Sequence, residues 1–354
     1  MDSLTLGAVV LEWHKDIDRS LPWKQNSSPY KIWISEIILQ QTQVLQGLRY
    51  YSRFIEQYPT VHALASSSEG DLLKAWEGLG YNSRARNLHK SAKYIVEEYG
   101  GRFPEVFQEI LSLPGIGDYT ASAISAFAYE HAHVAVDSNV ERWVSRYYGI
   151  AHYKSSPQLK KAVKSLLTPY VESHTSPAEC NQSFIDFGAL VCTAKKPICG
   201  QCPLADSCYA YGQHKTADYP LSKPKKPRKV RYLHYLVGVC EEEVPITKRV
   251  AKDIWQGMYE LPIYESESAV DLDANHLAEY FNLKGPLVID SVQSYEQTLT
   301  HRIIKGKFYL CKLSAKSNEL GQWMSRDEII NFAFAGIVRL FLADNMSIFN
   351  ANNK

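Results

Sequence analysis

The chain has 354 residues, more than one ordinary hydrophobic core serves, so two domains are expected. Hydrophobic residues make up 45% and charged residues 22%, a soluble globular composition, and a net charge of +1 argues neither for nor against nucleic acid. No run approaches the roughly 18 apolar residues of a membrane span, and the opening MDSLTLGAVVLEWHKDIDRS lacks the basic-then-apolar order of a secretory signal. A cytoplasmic protein is expected, nucleoid-associated if bacterial.

Up to about residue 211 the pattern is helical. Its first marked segment, KIWISEIILQQTQ (Lys31 to Gln43), is among the most apolar in the chain, yet Glu36 sits in the middle of it. An ionised carboxylate buried without a partner is costly, and the usual outcome is a raised pKa and a neutral acid. Further on, Leu88, Ala92, Ile95, Val96 and Tyr99 recur at helical spacing until Gly100 and Gly101 stop the helix. In LPGIGDYTASAI (Leu113 to Ile124), Pro114, Gly115 and Gly117 predict a tight turn before a helix near Thr120. Such a turn aims backbone N–H groups at one spot and suits a phosphate, although an ordinary helix-turn-helix packing corner is the more common explanation. In AVDSNVERWV (Ala135 to Val144), Asp137 stands at the cap of the next helix, where the helix N-terminus favours its ionised form. Glu36 and Asp137 are thus two carboxylates whose surroundings should push their pKa values apart, as an acid and an anion in glycoside chemistry require.

Four of the seven cysteines fall within 17 residues, at Cys192, Cys199, Cys202 and Cys208. An odd total without a signal peptide argues against a disulfide framework. The spacing C-x6-C-x2-C-x5-C places four thiolates on short loops, suited to tetrahedral zinc or to a cubane iron-sulfur cluster. From Gln213 to Arg231 there are seven Lys or Arg against one acid, with prolines at 220, 224 and 227, which reads as a linker. Beyond it, RYLHYLVGVC (Arg231 to Cys240) and GKFYLCKL (Gly306 to Leu313) read as strands, with helical runs near Leu277 and at the C-terminus. The domains are therefore set at 1–211, a basic Pro-rich linker at 212–230, and a smaller α+β domain at 231–354.

Together, the apolar helix with its embedded Glu, the GLGY segment (Gly78 to Tyr81), LPGIG, Asp-x-Asn entering a helix and the four-cysteine loop resemble the helix-hairpin-helix DNA glycosylases with a four-iron cluster. Within them the sequence is most similar to the MutY-type adenine DNA glycosylases, through most of residues 5 to 211 and more faintly to the end. The resemblance implies a multi-domain fold, an all-α helix-hairpin-helix domain with an iron-sulfur loop followed by a Nudix-like α+β domain. It implies one [4Fe-4S] cluster on Cys192, Cys199, Cys202 and Cys208, and a monovalent cation at the hairpin turn. It also implies base-excision repair by a monomer on duplex DNA carrying A opposite 8-oxoguanine or G.

By the same resemblance Glu36 protonates N7 of an extruded adenine and later deprotonates the incoming water, while Asp137 stabilises or traps the oxocarbenium-like sugar. Tyr119 and Asn139 match residues lining the sugar; Gln41 and Tyr81 match groups that wedge into the duplex where the base has left. Leu113, Gly115 and Gly117 form the DNA-binding hairpin. Bifunctional relatives carry a lysine where this chain has Tyr119, so a monofunctional enzyme that leaves the abasic site uncut is expected. The C-terminal half matches the recognition domain through DIWQGMYELP (Asp253 to Pro262) and lacks the acidic helix of a Nudix hydrolase. Its lesion-contacting loop corresponds to Leu299, Thr300 and His301. Three positions depart from the family pattern: Lys24 for Arg, Ser138 for Gly and Asn82 for an aromatic. The alternatives are a related iron-sulfur glycosylase or lyase with another target base, and a non-catalytic DNA-binding iron-sulfur protein in which Asp137 is only a cap.

Overall fold

The computed structural model describes residues 2–19, 21–23, 28–224 and 226–346; Lys24 lies outside them. Packing divides the chain into two compact units, Met1–Ser66 with Asn87–Lys225, and Ser67–Arg86 with Lys226–Lys354. No helix among the described residues is long and apolar enough to cross a membrane.

In the order of the chain, the helices that precede the cysteine loop are α1 (Ser3–His14), α2 (Pro29–Leu39), α3 (Val44–Gln57), α4 (Val61–Ser66), α5 (Glu69–Ala75), α6 (Ser83–Tyr99), α7 (Phe107–Ser112), α8 (Asp118–Tyr129), α9 (Ser138–Tyr148), α10 (Pro157–Ser173) and α11 (Pro177–Leu190). Their starts carry ordinary signals. Asp2 caps α1 by accepting from Thr5 N at 2.8 Å, and proline opens α2, α10 and α11 where its missing N–H costs nothing. Helix α2 is buried on nearly every face, from Tyr30 to Ile38, which is why its sequence is apolar throughout rather than striped. Helix α6 ends as expected at Gly100 and Gly101, both in the left-handed region that glycine tolerates. A core of Leu6, Val10, Trp143, Phe184 and Phe187 joins α1, α9 and α11, with Leu159 and Val163 of α10 added to it. After the cysteines comes the single turn α12 (Tyr209–Gly212).

The second unit holds β1 (Lys229–Val239), β2 (Val244–Lys248), β3 (Tyr259–Glu260), β4 (Ile263–Ser266), α13 (Ala274–Tyr280), β5 (Ile289–Thr298), β6 (Arg302–Lys312), β7 (Gln322–Met324), α14 (Arg326–Ile329) and α15 (Gly336–Asp344). One sheet runs β4-β1-β6-β5, with β1 and β6 parallel and the other pairs antiparallel; the other runs β3-β2-β7. Leu233, Tyr235 and Val237 of β1 point into one core and Leu236 into another, so both faces of the strand are covered. That double burial explains the nearly continuous apolar run in RYLHYLVGVC. Phe341 of α15 stacks on Phe308 of β6 at 4.2 Å between ring centres.

Candidate active site

Glu36 lies on α2 with 8% of its surface exposed, and burial pushes its carboxyl up to about 7. A hydrogen bond with the Tyr119 hydroxyl, from the first turn of α8, works against that rise, and the nearby negative charge of Asp137 adds to it. Asp137 caps α9 as its sequence position predicts. Its Oδ1 accepts from Asn139 N and Val140 N, each at 2.8 Å, and its Oδ2 accepts from Asn139 Nδ2 at 2.7 Å. Burial still raises its pKa above the ordinary value, against the lowering effect of those bonds. Both carboxylates therefore shift upward, and the contrast between them lies in their partners. Asp137 holds three donors that favour its anion, whereas Glu36 lies on a helix buried from Ile32 to Ile38 and has the Tyr119 hydroxyl as its hydrogen-bond partner.

The two carboxylates line one cavity of about 820 Å³ together with Tyr119 and Asn139, and Gln41 stands on its wall. That volume is within the range of small-molecule sites and admits a nucleoside. His14, Arg19 and Gln182 line it too, and nothing in the sequence marked them. Arg19 and His14 are held by one fully buried carboxylate, Asp186, which accepts from the Arg19 guanidinium and lies 3.0 Å from His14 Nε2. These residues come from distant points of the chain, and none belongs to a spaced motif.

Behind Asn139, Arg142 ties the cavity to the cysteine loop. Its Nη2 donates to Asn139 Oδ1 at 2.9 Å and to Gly188 O at 2.7 Å, and its Nε donates to Cys192 O at 2.8 Å. Gly188 is needed for that approach, since a Cβ there would stand 2.6 Å from the Asn139 carbonyl oxygen. One turn further along α9, Arg146 Nη1 lies 3.4 Å from Cys192 Sγ and 2.7 Å from Thr193 O. All four clustered cysteines line a single small cavity walled by Val191, Pro197 and Ala205, with Arg146 beside them. Four soft ligands around one apolar hollow fit a cubane cluster, and an adjacent guanidinium offsets the negative charge of thiolate ligation.

Of the hairpin residues, Leu113 is buried, whereas Gly115 sits at φ 79° with Asn87 so close that a Cβ would meet it at 2.6 Å. Gly117 caps α8, and the space where its Cβ would be is open. Gln41 and Tyr81 are both exposed non-glycine residues in the left-handed region, at φ 60° and 46°. Such strain persists only where the surroundings impose it and gathers at functional positions. In the second unit the Tyr81 hydroxyl meets Thr300 Oγ1 at 2.5 Å, at the turn Leu299–His301 between β5 and β6. Of the family departures, Ser138 is the first residue of α9, and Asn82 Nδ2 lies 2.6 Å from Met258 Sδ.

A helical domain with a paired-carboxylate cavity, a glycine hairpin and a four-cysteine loop defines a DNA N-glycosylase of the base-excision type. Three family models match accordingly: HhH-GPD superfamily base excision DNA repair protein over residues 34–169, the iron-sulfur binding domain of endonuclease III over 192–208, and a NUDIX domain over 234–344. The chain is 36% identical to the adenine DNA glycosylase of Buchnera aphidicola from Schizaphis graminum, over 73% of this chain and 75% of that one. It is 37% identical to the human adenine DNA glycosylase over 57% of this chain and 38% of that one. Among solved structures, a thermostable thymine-DNA glycosylase superposes with TM-score 0.54 at 27% identity, covering 60% of this chain and 97% of that one. An endonuclease III in a non-covalent DNA complex shares the fold, with TM-score 0.52 at 24% identity, over 59% of this chain and 95% of that one. The chain belongs to the adenine DNA glycosylase family. It is a hydrolase of N-glycosidic bonds and carries a [4Fe-4S] cluster, its iron-sulfur binding domain spanning residues 192–208. Cys192, Cys199, Cys202 and Cys208 are the residues that would hold it, and with four thiolates as ligands it would supply structure and local charge to the loop.

Proposed function

We propose that the enzyme removes adenine paired with 8-oxoguanine, or with guanine, from duplex DNA, as a monomer and without cutting the strand. In this reading Glu36 is the general acid. A carboxyl with a pKa near the working pH both holds its proton and releases it, which is what protonating a leaving base and then accepting a proton from water demands. Asp137, whose three donors favour its anion, faces the positive charge that develops on the sugar. Tyr119 holds Glu36 in place, and Asn139 links Asp137 to the Arg142 bridge. The chain has no lysine at Tyr119 to form a Schiff base, so the product is an intact abasic strand. Gln41 and Tyr81 fill the gap left by the extruded base, Leu113, Gly115 and Gly117 grip the backbone, and Leu299, Thr300 and His301 read the base opposite.

The observation that carries this reading is Glu36, a buried acid pushed up to about 7 in the cavity that also holds Asp137. Substituting Glu36→Gln tests it, because the amide keeps the shape and cannot give up a proton. Single-turnover adenine release is expected to fall about 10²- to 10⁴-fold while duplex affinity stays within a few-fold. Release at the unaltered rate would refute the general-acid role.

A further inference from the structure

The second unit contains a charge cluster that the catalytic chemistry does not use. Asp253 lies in the connection between β2 and β3, and three guanidinium groups from three places in the chain converge on it. Its Oδ2 accepts from Arg231 Nη1 at 2.5 Å and Arg249 Nη2 at 3.4 Å, and its Oδ1 accepts from Arg302 Nη1 at 2.8 Å. The three arginines are not equally dependent on it. Arg231 also makes two hydrogen bonds of 2.6 Å to Glu265, and Arg249 donates to Glu260 at 2.5 Å. Arg302 has no second acidic partner among the described ion pairs.

Arg302 is the residue that follows Leu299, Thr300 and His301, and its own carbonyl accepts from Leu299 N at 2.8 Å to close that turn. Holding Arg302 therefore fixes the outgoing end of the turn. The segment that begins with Asp253 also holds the stretch around Tyr81. Gln256 O accepts from Arg86 Nη1 at 2.5 Å, and Met258 Sδ lies beside Asn82 Nδ2. Within the segment Trp255 and Gly257 both take left-handed backbone, at φ 62° and 85°, so its path is imposed rather than relaxed. One short segment thus fastens two exposed points, Tyr81 and Thr300, whose hydroxyls meet 2.5 Å apart.

We infer that Asp253 is a positioning residue for discrimination of the opposite base, acting through Arg302 to hold the Leu299–His301 turn in register with Tyr81. The inference rests on the reading of that turn as the lesion reader. Placement of a contact group to within a fraction of an ångström separates a discriminating site from one that merely binds. Loss of Asp253 should therefore degrade selectivity before it degrades catalysis.

The test is single-turnover adenine release as a function of enzyme concentration, on A opposite 8-oxoguanine and on A opposite G, for the full chain and for Asp253→Asn, Asp253→Glu and Arg302→Gln. The half-saturating concentration is expected to rise about tenfold or more on the lesion duplex for Asp253→Asn and Arg302→Gln. The rate at saturation on A opposite G should stay unchanged, and Asp253→Glu should recover part of the preference. The double variant should lose no more than Asp253→Asn alone, because the contact to Arg302 is already broken there. Arg302→Gln leaves Asp253 its other two arginines and gives a folded protein if Asp253→Asn unfolds. A native enzyme that prefers the lesion, with both single variants retaining that preference, overturns the role of Asp253 alone. A native enzyme with no preference overturns the lesion-reading proposal, and this inference falls with it.

Discussion

In its proposed role Glu36 makes the chemistry a matter of one proton. Its pKa is raised by burial to about 7 from the ordinary 4.5, so between those values the folded chain binds a proton that the unfolded chain has released. The stability that this proton confers is complete below pH 4.5 and is lost as the pH rises through about 7, a change of about 3 kcal/mol. Glu36→Gln should remove that component, so that denaturant unfolding followed from pH 5 to pH 8 would show the variant losing less stability with rising pH than the native chain. Adenine release by the native enzyme should decline above pH 7 as the acid ionises, whereas a rate level across that range would separate release from Glu36. Asp137 separates capping from catalysis in a similar way. Asparagine caps helices as well as aspartate does, so Asp137→Asn should change stability by no more than about 1 kcal/mol. Adenine release should nevertheless drop at least about hundredfold, since the amide brings no charge to the sugar.

At the level of elements, the contact between α9 and α11 carries the link from the cavity to the cysteine loop. Gly188→Ala would push a methyl group into the Asn139 carbonyl, and a loss of about 1–3 kcal/mol in unfolding free energy is expected, with lower base release. Arg142→Met should lower release while leaving the hydrogen bonds from Asn139 to Asp137 in place, and iron content per chain would show whether the loop at Cys192 is disturbed as well. None of this could be read from the sequence. Glu36 and the cysteines were legible because each breaks a local pattern, an acid in an apolar run and thiols at ligand spacing. Asp137 was legible as a cap, since capping is decided by residues two and three positions away. Arg142 and Gly188 meet across 46 residues, and Asp253 and Arg302 across 49, so their roles exist only once the chain has folded. The strand pattern was readable where both faces of β1 are covered. The two- and three-residue strands β3 and β7 are too short to show any periodicity.

For the whole molecule, the division into units departs from the order of the sequence, since residues 67–86, which carry the GLGY segment, pack with the chain beyond Lys226. A stretch from the helical half of the sequence is therefore part of the structure that holds the Leu299–His301 turn, through Tyr81, Asn82 and Arg86. The proposed division of labour places base removal on Glu36 and Asp137 and the choice of opposite base on the second unit. The most direct test is single-turnover release of adenine from duplexes with A opposite 8-oxoguanine, G or T, assayed with and without alkali. Fastest release is expected opposite 8-oxoguanine, slower release opposite G, none opposite T, and strand breakage only after alkali. Equal release from all three duplexes, or breakage without alkali, would contradict that expectation.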